Sequence, residues 1–550
     1  MPGAVSNRAS FDGARLGTIL VLGGCVGFTL ALGLWRIDCP GLHYDEVFFV
    51  AGWSPLGAFE WRPNGLPLMQ ISYLGAVKTW LYWPVANHLS PALIRVPPLL
   101  AAGFSIFLAY CATRRLAGRV AALLAAVILA FDPAFIFLQR LDWGPVALGA
   151  LFRIASFLLL VQWRDQGGWW RLPLAAFLIG LGLYDKVIFA WYVVALGAAL
   201  VATRDHWPRP SARVVLFSAL SLALGAGPLI AYNVVSGFAT LHSAVLDPRQ
   251  PLAVLLPTHL NLIADTFGGR RLYEMVNRAS LQAPIACPGL SASWAASLCG
   301  RFPLDSSWFP MALAVAFLLV FVLRPLREDT ACRILGLLVA VTAAVFMPIG
   351  LGKASGVATE LGPHHAAMLL PFAEMFVAVV GVRAARQGWA WRVPIGLGLV
   401  IVLMTSAAVS VRTAASFAGT CGRGGWSPAI YQARDFVQDH AGDRILLGDW
   451  GFYCQLRVLA PHVPLDDVSW ELQRDDLEPA RLQPTPGLRT FLLLHRRDSA
   501  LFTSARRRAL GIIRRSGWQI RRTRTLRDLD GRPTADVVEI LPGMKENTPS

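Results

Sequence analysis

The sequence predicts a polytopic α-helical membrane protein of about eleven spans, followed by an α/β domain outside the membrane. The 550-residue chain is 55% hydrophobic and only 15% charged, and its mean hydropathy is +0.50. Soluble domains carry about a quarter charged residues, so much of this chain must lie in lipid. Apolar runs recur up to residue 412, and shorter strand and helix patterns follow them. A purely cytosolic enzyme is therefore excluded.

The spans follow from the lengths of the apolar runs. A spanning helix needs about 20 mainly apolar residues, because the hydrocarbon core is about 30 Å thick and a helix rises about 1.5 Å per residue. Runs that meet or approach this length lie near residues 16–36, 92–112, 117–138, 143–162, 172–184, 187–203, 214–235, 309–324, 331–351, 365–382 and 393–412. The fifth and sixth runs are short. The alternative there is a re-entrant hairpin, which would leave the predicted topology of the rest of the chain unchanged.

The arginines predict the orientation, since basic residues of short loops stay on the cytoplasmic side. With the N-terminus inside, each inside turn holds at least two arginines, whereas the short outside turns hold only Arg140, Lys186 and Lys353. We expect the inner (plasma) membrane, a cytoplasmic N-terminus with a retained first span, and an extracytoplasmic C-terminus. The net charge of +16 then reflects topology. Nucleic-acid binding is not expected, because the basic residues punctuate apolar runs.

Two domains are expected. Residues 1–412 form the predicted transmembrane domain, with long external loops at 37–91 and 236–308, and residues 413–550 form the predicted extracytoplasmic α/β domain. In the latter, helices are expected at 427–440 and 503–515, and strands at 444–447, 490–495 and 535–541. The cysteine positions predict disulfides Cys287–Cys299 and Cys421–Cys454, with free buried thiols as the alternative for either pair.

Two adjacent carboxylates follow the first span. Asp45 and Glu46 lie within a few residues of this anchor and are flanked by apolar and aromatic residues. Neighbouring residues of a helix point about 100° apart, so one carboxylate can face a substrate while protein groups hold the other. Apolar surroundings raise the pKa of a carboxylate and make it a better base near neutral pH. A helix cap with a solvated neighbour is the structural alternative.

Further ionisable residues lie at the same predicted face. They are His43, Arg140, Asp142, Lys186, Lys353, His364 and His365. A charge in the membrane costs at least about 2.5–3.5 kcal/mol, so such residues usually have a partner or a task. Arg140 and Lys186 are candidates to hold a lipid phosphate, with ion pairs to Asp142 and Asp185 as the alternative. Deeper in the spans, Arg153 and Glu374 are expected to form a structural ion pair.

Four motifs carry a family resemblance. Asp45-Glu46-Val47-Phe48-Phe49 resembles the Asp-Glu signature of the first external loop in the GT-C superfamily, in the form found in protein O-mannosyltransferases. Arg140-Leu141-Asp142 is similar to the element that begins their fourth span. The stretch from Gly180 to Lys186 resembles the glycine-to-lysine stretch of those enzymes and of aminoarabinose transferases. The stretch from His364 to Pro371 is similar to their fourth motif, although it lacks the Arg-Tyr pair, and Asp185 stands where the family has a small hydroxyl residue.

The resemblance implies a GT-C-like fold and an inverting glycosyltransferase, either a hexosyl- or a pentosyltransferase of the cell envelope. Such an enzyme moves a sugar from a polyprenyl-phosphate donor to a glycan, lipid or protein acceptor at a periplasmic active site. By this resemblance Asp45 is the general base, Glu46 and Asp142 orient the groups around it, and Lys186 and Arg140 contact the donor phosphate. His43, Lys353, His364 and His365 complete the expected substrate-binding set.

Other readings stay open from the sequence. A transporter or flippase for a lipid-linked sugar also places charges in spans, although it usually shows two similar halves. A non-catalytic membrane scaffold has no use for the carboxylate pair. No cofactor is firmly predicted, but a divalent cation is an alternative ligand for the cluster of His43, Asp45, Glu46, His364 and His365.

Overall fold

The computed structural model describes residues 3–51, 60–242, 251–279, 281, 287, 289–290, 293–349, 353–354, 357–358 and 362–543. These residues form a helical body that carries a smaller mixed α/β unit at its C-terminal end.

The first part of the helical body runs to residue 242. Its helices are α1 (Gly3–Leu34), α2 (Tyr44–Ala51), α3 (Val77–Tyr82), α4 (Pro91–Ala117), α5 (Arg119–Phe131), α6 (Pro133–Leu141), α7 (Val146–Gln166), α8 (Arg171–Asp185), α9 (Ala190–Ala202), α10 (Ala212–Gly225), α11 (Gly227–Val235) and α12 (Ala239–His242). Strands β1 (Met69–Ile71) and β2 (Leu74–Gly75) form an antiparallel hairpin.

The second part runs from residue 251 to the end of the longest C-terminal helix. Its helices are α13 (Leu252–Phe267), α14 (Arg270–Asn277), α15 (Ser293–Arg301), α16 (Trp308–Val322), α17 (Arg324–Glu328), α18 (Thr330–Phe346), α19 (Pro363–Ala366), α20 (Phe372–Ala385) and α21 (Trp389–Thr420). Strands β3 (Lys353–Ala354) and β4 (Val357–Ala358) pair antiparallel.

Each of the eleven apolar runs identified in the sequence contains one or two helices among its described residues. Within the described part of the chain, four helices are long and apolar enough to cross a membrane, and the number rises to seven if each of three bent helix pairs is one span. Shorter apolar helices add to these, among them α13, which the sequence analysis did not identify. The helical membrane fold is thus confirmed, while the count of eleven spans stays a prediction.

The bends have identifiable causes. Between α5 and α6 the axes turn by 57°, where Asp132 caps α6 and Pro133 begins it. The 65° bend between α10 and α11 lies at Gly225 and Gly227, and the 42° bend before α20 lies at Pro371. Proline removes a helical N–H donor, and glycine weakens the helix at such positions, so each break has a sequence signal.

The C-terminal unit is built on a five-stranded mixed sheet. Its strands are β5 (Arg444–Leu447), β6 (Asp466–Asp467), β7 (Thr490–His495), β8 (Gln519–Arg527) and β9 (Pro533–Leu541), in the order β6-β5-β7-β9-β8. Strand β5 runs parallel to β6 and β7, and β9 runs antiparallel to β7 and β8. The helices are α22 (Ala429–Asp439), α23 (Tyr453–Leu459), α24 (Ser469–Arg474) and α25 (Ala505–Arg515). All six residues of β7 are buried, as a central strand covered on both faces requires.

The sheet packs against the first external loop. A hydrophobic cluster joins residues of α2, among them Tyr44 and Val47, to Cys454 and Val458 of α23. The ring of Tyr44 stacks on that of Trp450 with centroids 4.3 Å apart. The segment that carries the two carboxylates is therefore held between the helical body and the C-terminal sheet.

The structure confirms one predicted disulfide and corrects another. Cys287 bonds to Cys299 as expected. Cys421 bonds to Cys39 rather than to Cys454, which is a buried cysteine outside any disulfide. Cys454 is the next cysteine along the chain after Cys421. The folded chain instead brings the end of α21 against the first loop, so that Cys421 meets Cys39, 382 residues away.

The expected pair between Arg153 and Glu374 is wrong. Arg153 donates hydrogen bonds to the carbonyl oxygens of Ala367 and Leu370, at 2.9 and 3.0 Å. Glu374 lies instead beside the carboxyl group of Asp132. The break before α20 leaves backbone carbonyls without helical partners, and the buried guanidinium satisfies them.

Candidate active site

The N-terminus of α2 presents the two predicted catalytic carboxylates. His43 precedes the helix, and its ring Nδ1 accepts a hydrogen bond from the backbone N–H of Asp45 at 3.2 Å. Glu46 completes the cap, since its Oε2 accepts from the backbone N–H of His43 at 2.8 Å. This reciprocal capping fixes the directions in which Asp45 and Glu46 point.

Glu46 is directed into the protein. Its two carboxylate oxygens accept from Nε and Nη2 of Arg95, each at 2.8 Å, and both side chains are fully buried. Arg95 also donates to the carbonyl oxygens of Ile37 and Pro40, at 2.7 and 2.8 Å. The pair thus fastens the chain between α1 and α2. Glu46 is therefore the carboxylate of the pair that protein groups hold, and its part in the reaction stays a prediction.

Asp45 is directed the other way. Its side chain is 27% exposed, and its Oδ2 accepts a hydrogen bond from the indole Nε1 of Trp143. Burial raises the pKa of Asp45 to about 6, a shift that the Trp143 hydrogen bond and the charge of Lys186 oppose and that Glu46 reinforces. A carboxylate with this pKa is largely ionised at neutral pH and is still basic enough to accept a proton.

His43 supports Asp45 as a neutral ring. Burial lowers the pKa of His43 to about 3, assisted by the charges of Arg278 and Arg95. Its Nδ1 accepts from the backbone, so the proton of the neutral ring lies on Nε2. The approach of Nδ1 to the Asp45 carboxylate, 3.8 Å, is therefore a contact and not an ion pair. The ring stacks on Trp426 at 4.3 Å, so His43 is a wall of the site and an N-cap.

Lys186 reaches the site from the turn after α8. A methyl group at Gly144 would lie 2.7 Å from its Nζ and 3.7 Å from the ring of Phe49, so the absence of a side chain at Gly144 leaves room for the ammonium group. The backbone φ of Gly144 is +71°, a conformation that glycine tolerates best. Burial lowers the pKa of Lys186 to about 8, and Asp45 is the largest of the opposing charges. The charge of Asp45 therefore stabilises the protonated form of Lys186.

A small cavity opens beside Lys186. Its lining includes Lys186, Asp185, His364 and Arg153. Asp185 is only 1% exposed, and neither of its carboxylate oxygens has a hydrogen-bond partner in the part of the chain that is described. A buried carboxylate without partners costs free energy, so this one is suited to hold a polar group of a ligand.

Arg140 lies away from the cavity. It is fully buried, and its Nη2 donates to the carbonyl oxygens of Arg36, at 2.8 Å, and of Cys39. These are the carbonyls at the C-terminal end of α1 and in the turn after it, which lack helical partners. The expected contact with a donor phosphate is therefore corrected: Arg140 holds the first loop in place.

Asp142 is also a structural residue. Its carboxylate lies 2.5 Å from Nζ of Lys78, and both side chains are almost fully buried. It also accepts from the backbone N–H of Ala147 at 2.9 Å, in the first turn of α7. The alternative ion pair between Arg140 and Asp142 is not formed, because Lys78 takes that place. Asp142 can orient the turn that carries Trp143, and it does not face Asp45.

The two adjacent histidines differ in role. The ring of His364 lines the cavity and lies 4.7 Å from the ring of Trp143, which connects it to Asp45. The Nδ1 of His365 accepts from the backbone N–H of Gly362 at 3.2 Å, so His365 caps α19. For Lys353 the structure describes the backbone alone, within β3, and its predicted substrate contact stays a prediction.

Sequence reasoning missed three residues. Trp143, Arg95 and Lys78 each contact a predicted site residue, from 98, 49 and 64 positions away. Lys78 carried a signal, because it is one of only four lysines in the chain. Within the described residues no group of three or more His, Cys, Asp or Glu is arranged to hold a metal ion, so the divalent-cation alternative finds no ligand set there.

Comparisons with known proteins bear on this arrangement. Residues 78–229 match the family model described as "Dolichyl-phosphate-mannose-protein mannosyltransferase". The crystal structure of ArnT from Cupriavidus metallidurans bound to undecaprenyl phosphate superposes with a TM-score of 0.58 at 12% identity, over 95% of this chain and 97% of that chain. The apo state of the same protein gives 0.55 at 12% identity, over 96% and 98%. A comparison with curated proteins finds no match.

These findings confirm the resemblance predicted from the motifs. The family model covers the segment between the first loop and α11, which includes Trp143 and Lys186. The match to ArnT extends over almost the whole chain, and at this identity it establishes the fold. The protein is an α-helical membrane protein with an ArnT-like fold.

Proposed function

We propose that this protein is a membrane glycosyltransferase that takes a sugar from a polyprenyl-phosphate donor and attaches it to an acceptor hydroxyl. The observation that carries the proposal is the placement of Asp45, a partly exposed carboxylate whose pKa is raised to about 6 and which interacts electrostatically with Lys186, a residue that lines a cavity. The matched family model names a dolichyl-phosphate sugar, and the ArnT crystal structure holds undecaprenyl phosphate. We extend a donor of this class to the present chain.

The reaction follows from the charges of Asp45 and Lys186. The acceptor oxygen attacks the anomeric carbon while its proton passes to Asp45. The bond between that carbon and the phosphate oxygen breaks, and the electron pair leaves with the phosphate. Lys186 stabilises the charge that develops there, since a positioned ammonium group in a partly buried site acts strongly on it. A single displacement inverts the anomeric centre, in agreement with the family resemblance.

The cavity beside Lys186 suits the donor sugar. With the phosphate at Lys186, the attached ring would lie against the mouth of this cavity and face Asp185 and His364. Asp185 offers carboxylate oxygens to sugar hydroxyls, and the neighbouring Trp143 provides an apolar wall next to His364. Hydrogen bonds from the donor sugar would satisfy the carboxylate oxygens of Asp185, and they would thereby stabilise the complex.

The disulfides support an active site on the extracytoplasmic side. Cys39–Cys421 lies six residues from Asp45 along the chain, and Cys287–Cys299 belongs to the second long loop predicted on the same side. Disulfides persist in oxidising compartments and are rare in the cytosol. Together with the arginine-rich inside turns, they favour an inner-membrane enzyme whose C-terminal unit and active site face the outside.

Replacing Asp45 tests the proposal. The protein, reconstituted in liposomes, is supplied with a panel of undecaprenyl-phosphate hexoses and pentoses and with membrane glycolipid extract, and the release of undecaprenyl phosphate is measured. We expect Asp45→Asn to lower turnover at least about 100-fold, since general-base catalysis contributes roughly 10²- to 10⁴-fold. Undiminished turnover would refute the assignment.

A matched variant controls for loss of structure. Asp38 lies in the same loop and is exposed, so Asp38→Asn removes an equal charge without touching the site. It should keep both turnover and melting temperature. Asp45→Asn should also keep its melting temperature, because its amide still accepts the Trp143 hydrogen bond through an oxygen.

A further inference from the structure

The hairpin of the first external loop lies against the turn that carries Lys186. Its strands β1 and β2 are joined by a turn at Ser72 and Tyr73. The carbonyl oxygen of Tyr73 accepts a hydrogen bond from the backbone N–H of Val187 at 3.1 Å, and Leu74 forms an antiparallel bridge with Lys186. The backbone of Tyr73 is therefore fixed next to the residue that we assign to the donor phosphate.

Both ends of this hairpin are held against α8. The hydroxyl group of Tyr184 donates a hydrogen bond to the carbonyl oxygen of Leu68, before β1, at 2.6 Å. The same hydroxyl oxygen accepts from the backbone N–H of Ala76, after β2, at 3.2 Å. A methyl group at Gly75 would collide with the carbonyl oxygen of Tyr184, so glycine permits this close approach of the two chains. The turn that carries Tyr73 is thus anchored on two sides.

The side chain of Tyr73 is half-buried and packs against the hydrophobic cluster to which α2 contributes. It interacts electrostatically with Asp45. Its hydroxyl group has no hydrogen-bond partner within the described part of the chain. Tyr82 of the same cluster instead donates to the carbonyl oxygen of Ile94 at 2.9 Å. A buried tyrosine usually satisfies its hydroxyl group, so that of Tyr73 is free to bind a substrate.

The phenol group of Tyr73 is a hydrogen-bond donor and not a base. Burial raises the pKa of Tyr73 above its usual value, and the charges of Asp45 and Glu60 raise it further. The group therefore keeps its proton at neutral pH, where it can donate a hydrogen bond. Hydrogen bonds to an ionised acceptor are roughly twice as strong as those between neutral groups. The phosphate of the proposed donor is such an acceptor, and Lys186 brings it to this turn.

We infer that the hydroxyl group of Tyr73 donates a hydrogen bond to the phosphate of the polyprenyl-phosphate donor, which Lys186 holds from its other side. The inference rests on the proposed function and adds a substrate-contacting residue to the same site. Lys186 supplies the positive charge, and Tyr73 supplies a donor of fixed direction. No proton leaves Tyr73, so the phenol is unchanged after turnover. The hydrogen bond strengthens as charge develops on the departing phosphate, and it thereby lowers the barrier.

Binding of the lipid product tests this contact without turnover. The full-length protein in detergent micelles is titrated with undecaprenyl phosphate and, separately, with undecaprenol, which has the same tail and no phosphate. We expect the affinity of Tyr73→Phe for undecaprenyl phosphate to fall roughly tenfold or more, as the loss of a hydrogen bond to a charged group implies. Phenylalanine keeps the ring in the cluster, so the melting temperature and the affinity for undecaprenol should stay at their wild-type values.

Tyr453 provides a matched control for the loss of a hydroxyl group. It is half-buried and packs against the same hydrophobic cluster. Its electrostatic neighbours, however, include Arg457 and Asp467 of the C-terminal unit and not Asp45. Tyr453→Phe should therefore bind undecaprenyl phosphate as the wild type does. Equal losses of affinity in Tyr73→Phe and Tyr453→Phe would show that packing sets the affinity, and they would overturn the inference.

Kinetics separate this inference from the proposed function. Tyr73→Phe should lower kcat/KM for the donor roughly 10- to 100-fold. If Asp45→Asn loses turnover while Tyr73→Phe binds undecaprenyl phosphate as tightly as the wild type, the phosphate contact is refuted and the transferase assignment stands. If Tyr73→Phe instead needs more acceptor extract for half its maximal rate at unchanged affinity for undecaprenyl phosphate, the hydroxyl group contacts the acceptor and the inference is overturned. If the wild type binds undecaprenyl phosphate no better than undecaprenol, the donor class of the proposed function fails, and the inference fails with it.

Discussion

The indole of Trp143 donates a hydrogen bond to the carboxylate of Asp45, across 98 residues of sequence. The same indole packs 4.7 Å from the ring of His364 and 5.7 Å from that of His43. Trp143 thus connects the start of α2 to the cavity beside Lys186. Its hydrogen bond stabilises the ionised form of a carboxylate that burial would otherwise leave more strongly protonated.

A bell-shaped pH profile is the first prediction. Asp45 must be ionised to accept a proton, so kcat/KM should fall as the pH drops through about 6, the pKa of that carboxyl. Lys186 must be protonated to stabilise the phosphate, so kcat/KM should also fall as the pH rises through about 8, the pKa of that ammonium. Initial rates at subsaturating donor between pH 4.5 and 9.5 measure both limbs. A rate that is constant from pH 4.5 to 7 would contradict the role of Asp45.

Removing the indole donor should shift the acid limb. Trp143→Phe keeps an aromatic ring but loses the hydrogen bond that lowers the pKa of Asp45. The pKa should then rise, and the acid limb of kcat/KM should move to higher pH while the alkaline limb stays. Trp450→Phe is the control, because Trp450 stacks on Tyr44 and is not among the groups that shift the pKa of Asp45. An unmoved limb in Trp143→Phe would show that the hydrogen bond does not tune the base.

Two lysines allow a matched comparison. Lys186→Met should lower kcat/KM for the donor roughly 10- to 100-fold, since a hydrogen bond to a charged group contributes about 1.5–3 kcal/mol. Lys78→Met should instead lower the melting temperature, because it leaves the buried carboxylate of Asp142 without its ion pair. Donor dependence of the rate and thermal unfolding are measured on both variants. If kcat/KM for the donor falls equally in the two variants, Lys186 has no special role in stabilising the donor phosphate.

The fold was largely predictable from sequence, and the reason is the lipid. Hydrophobic length alone identifies helices in such a chain, because every spanning backbone must satisfy its own hydrogen bonds. Each of the eleven runs contains one or two helices among its described residues, and strands β5, β7 and β9 were expected near their observed positions. Strand β8 was missed, since its sequence from Gln519 to Arg527 is rich in arginine and six of its nine residues are exposed. A polar edge strand carries little hydrophobic signal.

The site was predicted less well, for a physical reason. A charge near lipid requires a partner, but the sequence does not tell whether the partner is a ligand or a carbonyl group. Arg140 and His365 satisfy backbone groups, and Asp142 satisfies Lys78. Asp45 and Glu46, adjacent in sequence, differ because only one of them meets Arg95. Such long-range pairings are set by packing, which local patterns do not encode.

The pair of Glu46 and Arg95 gives a stability prediction. Breaking a buried ion pair by removing one partner costs about 3–5 kcal/mol, because the remaining charge stays buried. Glu46→Gln should therefore lower the melting temperature clearly, and turnover should fall only as far as folded protein is lost. Thermal unfolding in detergent, with activity normalised to folded protein, separates these effects. If Glu46→Gln unfolds like the wild type yet is inactive, then Glu46 takes part in the chemistry.

The last prediction concerns the covalent link between the first loop and α21. Cys39 and Cys421 are bonded, with Cα atoms 4.4 Å apart, and Gly41 beside them donates its N–H to the carbonyl of Cys421 at 3.0 Å. A non-reducing digest analysed by mass spectrometry should yield a peptide joining Cys39 to Cys421, and Cys454 should be alkylated only after unfolding, because it is fully buried. Cys39→Ser should lower stability by about 2–4 kcal/mol and should lower turnover too, since the link holds the chain that leads to Asp45. A peptide joining Cys421 to Cys454 would show that the first loop is not anchored to α21 by a covalent bond, and the position of the base would then depend on non-covalent contacts such as those of Arg95 and Arg140.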